Sequence, residues 1–211
     1  MQSTESSSWH VAQTLASPAI LIVNGRGMAL SAAAVVKGFQ AMRSPSGIAG
    51  VILNRVSPMS YPHLKAVIEQ ECSVHVYGYM PTNEACSLES RHLGLVTAQE
   101  VSDLREKMQT LATQAEKSIE LDALIELMKA QPAMEAEAPV ASKIANVCIA
   151  VAKDKAFCFY YRDNLELLEE LGATLIPFSP LEGKELPECD GLYLGGGYPE
   201  LYTGQLSQNI S

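Results

Sequence analysis

The sequence predicts an α/β protein built on parallel sheets in two successive units, and three observations carry that expectation. Three short runs rich in Val and Ile, Ala19–Val23, Ile48–Leu53 and Val74–Gly78, are separated by segments with helical spacing, the grammar of β-α-β units. The runs are apolar at successive positions, so both faces of each strand are expected to be dry, as they are where helices cover a parallel sheet. The same alternation restarts near residue 144, after a stretch with no periodic apolar face.

Taken in order, the first helix is expected to start at Ser31, whose hydroxyl is suited to capping free backbone amides, and to run through Ala32 to Phe39. The second begins near Pro62 and presents Leu64, Val67 and Ile68 on one side. Thr97 and Glu100 form a Thr-x-x-Glu capping box, and Leu104, Met108, Leu111 and Ala115 follow at steps of four and three, predicting a long amphipathic helix. Leu121, Leu124, Ile125 and Met128 mark another. Gln131–Lys143 holds Pro, Ala and Glu without periodicity and reads as a linker, dividing residues 1–130 from residues 144–211. Beyond it, strand Ile144–Ala152 precedes a helix through Leu165, Leu168 and Leu171, opened by an Asp163–Glu166 capping box and ended by Gly172. Strands Ala173–Phe178 and Asp190–Leu194, a glycine loop Gly195–Gly197 and a helix opened by Pro199 complete the order. Three strands make a small second sheet, so the second domain is expected to be partial.

Composition narrows the function classes. A formal net charge of −9 is the wrong sign for a phosphate-backbone footprint, so nucleic acid is not an expected partner. No apolar run is long enough to cross a bilayer, and Met1 to His10 lacks a basic flank followed by an apolar core, which points to a cytoplasmic location without a membrane partner. Cys72, Cys86, Cys148, Cys158 and Cys189 contain no Cys-x-x-Cys pair, so neither a zinc site nor a disulfide framework is expected. They read as reduced and mostly buried small hydrophobes, with a nucleophile among them as the alternative.

Three places hold residues suited to chemistry. Asn54 closes a strand at the carboxyl end, where parallel sheets bind ligands, and its amide offers both the donor and the acceptor that an adenine edge requires. A turn residue tolerant of unusual backbone angles is the other reading. Neighbouring Arg55 is either a counter-charge for phosphate or carboxylate, or a solvated surface cation. The loop Glu89-Ser-Arg-His-Leu-Gly-Leu95 brings Arg91 and His92 to the same end of the sheet, either to hold an anion or simply to connect two elements. Gly195-Gly196-Gly197-Tyr198-Pro199 joins a strand to a helix; its backbone N–H groups could face a developing negative charge, or the glycines could serve a tight turn.

The pieces "SAAAVVKGF", "GVILNRV", "RHLGLVTAQE", "AFCFYYRDNLELLEELGA" and "DGLYLGGGYPEL" occur in one order that resembles the cobyrinic acid a,c-diamide synthase family. That resemblance covers nearly the whole chain. It implies the C-terminal part of a P-loop-type, dethiobiotin-synthetase-like ATP-binding domain, followed by the N-terminal part of a flavodoxin-like, class I triad glutamine amidotransferase domain. It further implies ATP and Mg²⁺ as cofactors, with glutamine and a corrinoid tetrapyrrole as substrates, and it leaves room for a homodimer. The reaction so implied phosphorylates a tetrapyrrole carboxylate and lets glutamine-derived ammonia displace phosphate. By resemblance, Asn54 is the adenine-contacting position, with Arg55 beside it, and Arg91 and His92 belong to the ATP and corrinoid loop. Gly196 and Gly197 correspond to the oxyanion loop of the glutamine site, and Tyr160, Tyr161 and Asn164 shape the interface between domains.

The sequence also departs from that family. It contains no Gly-x-x-x-x-Gly-Lys-Ser/Thr, and the glutaminase Cys, His and Glu are expected after Ser211, so no catalytic residue is assigned within the chain and none of Cys148, Cys158 or Cys189 is read as the nucleophile. Asn24 stands where the family commonly has Asp, which puts a metal-linked role there in doubt. The chain by itself is therefore expected to be inactive. Sibling amidases acting on hydrogenobyrinate or nickel-sirohydrochlorin, a noncatalytic truncated protein that binds a partner subunit, and a binding module alike only in architecture are the competing readings.

Overall fold

The computed structural model describes residues 4–88, 101–133, 142–183 and 185–209. The chain divides into two compact units, residues 1–96 with 102–134, and residues 97–101 with 135–211. The expected α/β class holds, with a parallel three-stranded sheet in each unit.

In the first unit a short helix, α1 (Ser8–Thr14), precedes β1 (Ala19–Asn24), α2 (Ser31–Met42), β2 (Ile48–Asn54), α3 (Tyr61–Cys72) and β3 (His75–Met80). The strands pair in the order β1-β2-β3. Val23, Val51, Leu53 and Val76 meet Ala32, Ala33 and Val36 of α2 and Leu64 and Ile68 of α3 in one buried cluster. The helical partners recur at steps of three and four, so each helix turns a single stripe to the sheet. Burying a side chain of that size contributes about 1.5–3 kcal/mol, which makes this cluster the main source of order in the unit.

Among the described residues, one face of β1 is not covered. Ile22, adjacent to buried Val23 and therefore on the opposite face, is 66% exposed. An apolar run in sequence records strand propensity on both faces, but it does not guarantee that both are covered.

After residue 101 come α4 (Leu104–Ser118) and α5 (Leu121–Lys129). The junction between them lies along the edge of β3: Gly78 and Ile119 form an antiparallel bridge, and the Glu120 N–H donates to the Tyr77 carbonyl at 2.7 Å. Gly78 has φ +145°, and a Cβ there would run into the Ser118 backbone, so only glycine admits this approach. Side chains reinforce the same edge. Lys65 Nζ lies 2.9 Å from Glu120, while His75 reaches Glu120 at 2.7 Å through Nε2 and Glu69 at 3.1 Å through Nδ1.

The second unit holds β4 (Val147–Ala152), β5 (Phe157–Phe159), α6 (Arg162–Glu170), β6 (Ala173–Phe178), β7 (Gly191–Tyr193), β8 (Gly196–Gly197) and, after a 3-10 turn at Pro199–Tyr202, α7 (Thr203–Leu206). The parallel sheet has the order β6-β4-β7, so β4 is central and its Ala150, Val151 and Ala152 are buried. Gly172 ends α6 as expected, with φ +106° and its N–H bonded to the Glu169 carbonyl.

Several local expectations are corrected. α2 starts at Ser31 as expected, but the Ser31 hydroxyl is not its cap: Leu30, already at helical angles, holds the N-cap position, and the first amides of α2 bond to the carbonyls of Ala29 and Leu30. Asp163 and Glu166 make no capping box, because Asp163 lies inside α6 and Arg162 takes the Glu166 carboxylate in an i,i+4 ion pair. The Thr97–Glu100 box lies outside the described residues, and the helix expected from it begins at Leu104. Met108 and Met128 are exposed, so the apolar stripes of α4 and α5 are narrower than their spacing suggested. The strand expected from Ile144 starts at Val147. Gly196–Gly197 is not a free loop but pairs antiparallel with Phe157–Phe159, a strand that the sequence reading did not foresee. Among the cysteines only Cys72 is buried; the other four are half-buried, and none is in a disulfide.

Candidate functional site

Parallel register places Asn24, Asn54 and Met80 in one row at the carboxyl ends of β1, β2 and β3. Segments leaving those ends enclose an open cleft of about 880 Å³ within the first unit. Arg26, Asn54, Arg55, the run Pro81–Glu84, Cys86 and Ser87 line it, with Leu111 of α4 and Ile119 closing one wall. Among the described residues that line it, two guanidinium groups stand against one carboxylate, Glu84, which suits an anionic ligand.

Asn54 takes the turn role that was one of its two readings. Its Oδ1 accepts the Arg55 N–H at 3.0 Å while Arg55 adopts φ +60°, so the side chain supports a left-handed turn. Its main-chain carbonyl also accepts the Gly25 N–H at 2.9 Å, tying the exits of β1 and β2 together. The side-chain NH2 has no partner among the described residues, and Oδ1 retains a second lone pair, so a donor and an acceptor remain for a ligand edge. Asn24 uses its Oδ1 on the Arg26 N–H at 3.3 Å, a local turn bond of the same kind. Arg91 and His92 lie outside the described residues. Sequence reasoning missed Arg26 and the 81–87 segment; the available signal was their position directly after a strand's carboxyl end, where ligands bind.

In the second unit the glycine run leaves the carboxyl end of β7. The Gly195 N–H donates to the Tyr160 hydroxyl at 2.9 Å, and Tyr160 donates in turn to the Ala152 carbonyl. Gly196 and Gly197 lie opposite Phe159 and Phe157. A Cβ at Gly195 would be driven into the Tyr160 ring, and one at Gly197 into the Ala156 carbonyl. Close packing thus accounts for glycine at these two positions before any ligand is considered. Tyr160 is half-buried, Tyr161 is 80% exposed, and Asn164 lies beside Leu167, Leu168 and Leu192 in an apolar groove.

Asp154 organises the turn that delivers β5 to the glycine run. Its Oδ1 accepts the N–H groups of Ala156 (2.8 Å) and Phe157 (3.1 Å), and its Oδ2 accepts the Ser179 hydroxyl (2.9 Å) and the Leu181 N–H (3.0 Å). All four donors lie within the second unit, and sequence alone offered no signal for the last two. Among the described residues no group of three or more His, Cys, Asp or Glu is arranged to hold a metal ion, and no helix is long and apolar enough to cross a membrane.

Residues 148–211 match the CobB/CobQ-like glutamine amidotransferase domain. Over almost its full length the chain is similar to curated cobyrinate a,c-diamide synthases. It is 41% identical to that of Listeria monocytogenes serotype 4b over 209 residues, 98% of this chain and 46% of the relative. It is 45% identical to that of Priestia megaterium over 198 residues, 92% of this chain and 43% of the relative. The Salmonella typhimurium protein of the same name is 43% identical over 203 residues, 94% and 44% of the two chains. The chain therefore spans just under half the length of the curated relatives it matches. No solved structure matches it.

Proposed function

We propose that this chain, similar over nearly all of its length to the cobyrinate a,c-diamide synthases, works as part of a cytoplasmic, glutamine-hydrolysing, ATP-dependent amidoligase that amidates the a and c carboxylates of cobyrinic acid. The observation that carries the reading is the match of residues 148–211 to a glutamine amidotransferase domain inside a longer match to those synthases. The cleft of the first unit supports the nucleotide half of it. Arg26 and Arg55 would neutralise phosphate or carboxylate, and Asn54 would present its amide to the adenine edge. Bound ATP would supply the activation that turns a carboxylate, a poor electrophile, into one that ammonia can attack. The residues present fit ATP only in part, because no phosphate-cradling Gly-x-x-x-x-Gly-Lys-Ser/Thr occurs in residues 1–211. Mg²⁺ finds no ligand cluster among the described residues, and no step is assigned to it.

In the second unit the backbone amides of Gly196 and Gly197 would serve the glutamine site by donating to the oxyanion of the tetrahedral intermediate. The chain by itself supplies neither the glutaminase nucleophile nor the phosphate cradle, and is inactive on this reading. The test compares two proteins. The complete product of the gene that encodes this chain is expected to release glutamate and ADP in proportion to amidated cobyrinic acid, and residues 1–211 alone are expected to release neither. Ammonia release by the isolated chain that alkylation of Cys158 abolishes would overturn the second half. A complete product that hydrolyses no glutamine in the presence of ATP and cobyrinic acid would overturn the first.

A further inference from the structure

Three consecutive glycines are a poor platform for catalysis, because glycine gives the backbone its greatest freedom while oxyanion stabilisation depends on donors already in place. Two features of the second unit remove that freedom. The pairing of β8 with β5 holds Gly196 and Gly197 from one side. The Tyr160 hydroxyl holds the start of the run from the other: it accepts the Gly195 N–H at 2.9 Å and donates to the Ala152 carbonyl at the end of the central strand. A hydroxyl has one proton to give and two lone pairs, so one conformer satisfies both bonds. The ring is seated edge-on against Tyr193, with centroids 5.3 Å apart, and fills the space where a Gly195 side chain would be. Burial raises the pKa of the Tyr160 phenol, which keeps it protonated as the donor to Ala152. Because Gly195 gives its N–H to Tyr160, it has none to offer a ligand, and the amides that the glutamine-site reading assigns to the oxyanion are those of Gly196 and Gly197.

We propose that Tyr160 is a positioning residue for glutamine hydrolysis: its hydroxyl anchors Gly195 to β4 and so holds the Gly196 and Gly197 amides in place for the oxyanion. Tyr160 itself exchanges no proton with substrate. The proposal rests on the glutamine-hydrolysing reading above.

The test is Tyr160→Phe in the complete gene product, which keeps the ring and removes both hydrogen bonds. The expected result is a fall in kcat for glutamine of roughly 10- to 100-fold, short of or equal to the loss of a whole oxyanion donor. KM for glutamine should stay within about two-fold, since the ground-state carbonyl draws less on these donors. Amidation driven by added ammonium chloride should be unchanged. An unchanged kcat in Tyr160→Phe overturns the proposal, as does an equal fall in the ammonium-driven rate. A second measurement is independent of activity: in this chain carrying Tyr160→Phe, amide exchange at Gly195 should accelerate at least about tenfold while Ala150 in β4 stays protected. Protection of Gly195 equal to wild type refutes the tether. If the wild-type complete product releases no glutamate, the functional reading fails while the exchange result still judges the tether.

Discussion

Asp154 offers the most direct test of how the second unit holds the glycine run. Its carboxylate accepts four hydrogen bonds, three from backbone N–H groups and one from the Ser179 hydroxyl. Replacing it with Ala removes all four acceptors. Each stranded donor costs up to about 1–3 kcal/mol when buried, and this site is half-buried, so the sum is on the order of 3–5 kcal/mol. Asn should be much milder, for a geometric reason. If its NH2 takes the Oδ2 position it faces Ser179, whose hydroxyl can rotate from donor to acceptor, and only the Leu181 N–H loses its partner. That change costs about 1–2 kcal/mol. The assay is urea denaturation followed through amide protection in β4 and β6. Trp9, the single tryptophan, lies in the first unit and gives an internal fluorescence reference that should not move. The expected order is wild type, then Asn, then Ala, with Ala removing a large share of a domain's usual stability. If Asn proves as damaging as Ala, the number of acceptors is not what matters. If neither variant shifts the midpoint, Asp154 does not hold the turn.

Three further outcomes follow from the first unit. Gly78→Ala forces a side chain into a left-handed backbone and against Ser118, so a loss of about 2–4 kcal/mol is expected, with the Glu120 amide losing exchange protection. Glu120 has its pKa lowered, first by the Lys65 hydrogen bond and then by His75; the stability it adds is present above the ordinary carboxylate range and is lost as pH falls through the lowered value. Because the pair is exposed the amplitude should stay below about 1 kcal/mol, and denaturation midpoints of Glu120→Gln measured from about pH 6 to 3 should be flatter than wild type. Asn54→Ala in the complete gene product should raise KM for ATP about 5- to 30-fold and leave KM for glutamine within two-fold; equal effects on both would remove Asn54 from the nucleotide site.

Much of the architecture was legible because its signals are local. The Val- and Ile-rich runs became β1, β2 and β3, Ala173–Phe178 became β6 unchanged, and Leu64, Val67 and Ile68 do pack as one stripe. Capping was less legible, since a Ser, or an Asp with a Glu three residues later, marks a helix start only when no neighbour competes. Leu30, not Ser31, holds the N-cap position of α2, and Arg162 took the Glu166 carboxylate. Asn54 was found as a cleft residue, yet its bond to the Arg55 amide belongs to the turn reading that stood beside the ligand reading.

What the sequence by itself determined is the α/β class, the order of the parallel strands and of the helices that join them, and the family likeness carried by its motifs, all of which depend on residues close together along the chain. What only the tertiary structure decided is the pairing of Phe157–Phe159 with Gly196–Gly197, the hold of Asp154 on Ser179 and Leu181, and the tether from Tyr160 to Gly195, 35 residues apart. These contacts carry no periodicity and no spacing rule. They exist because folding brings distant donors and acceptors to one place, where leaving them unpaired would cost more than the order they impose.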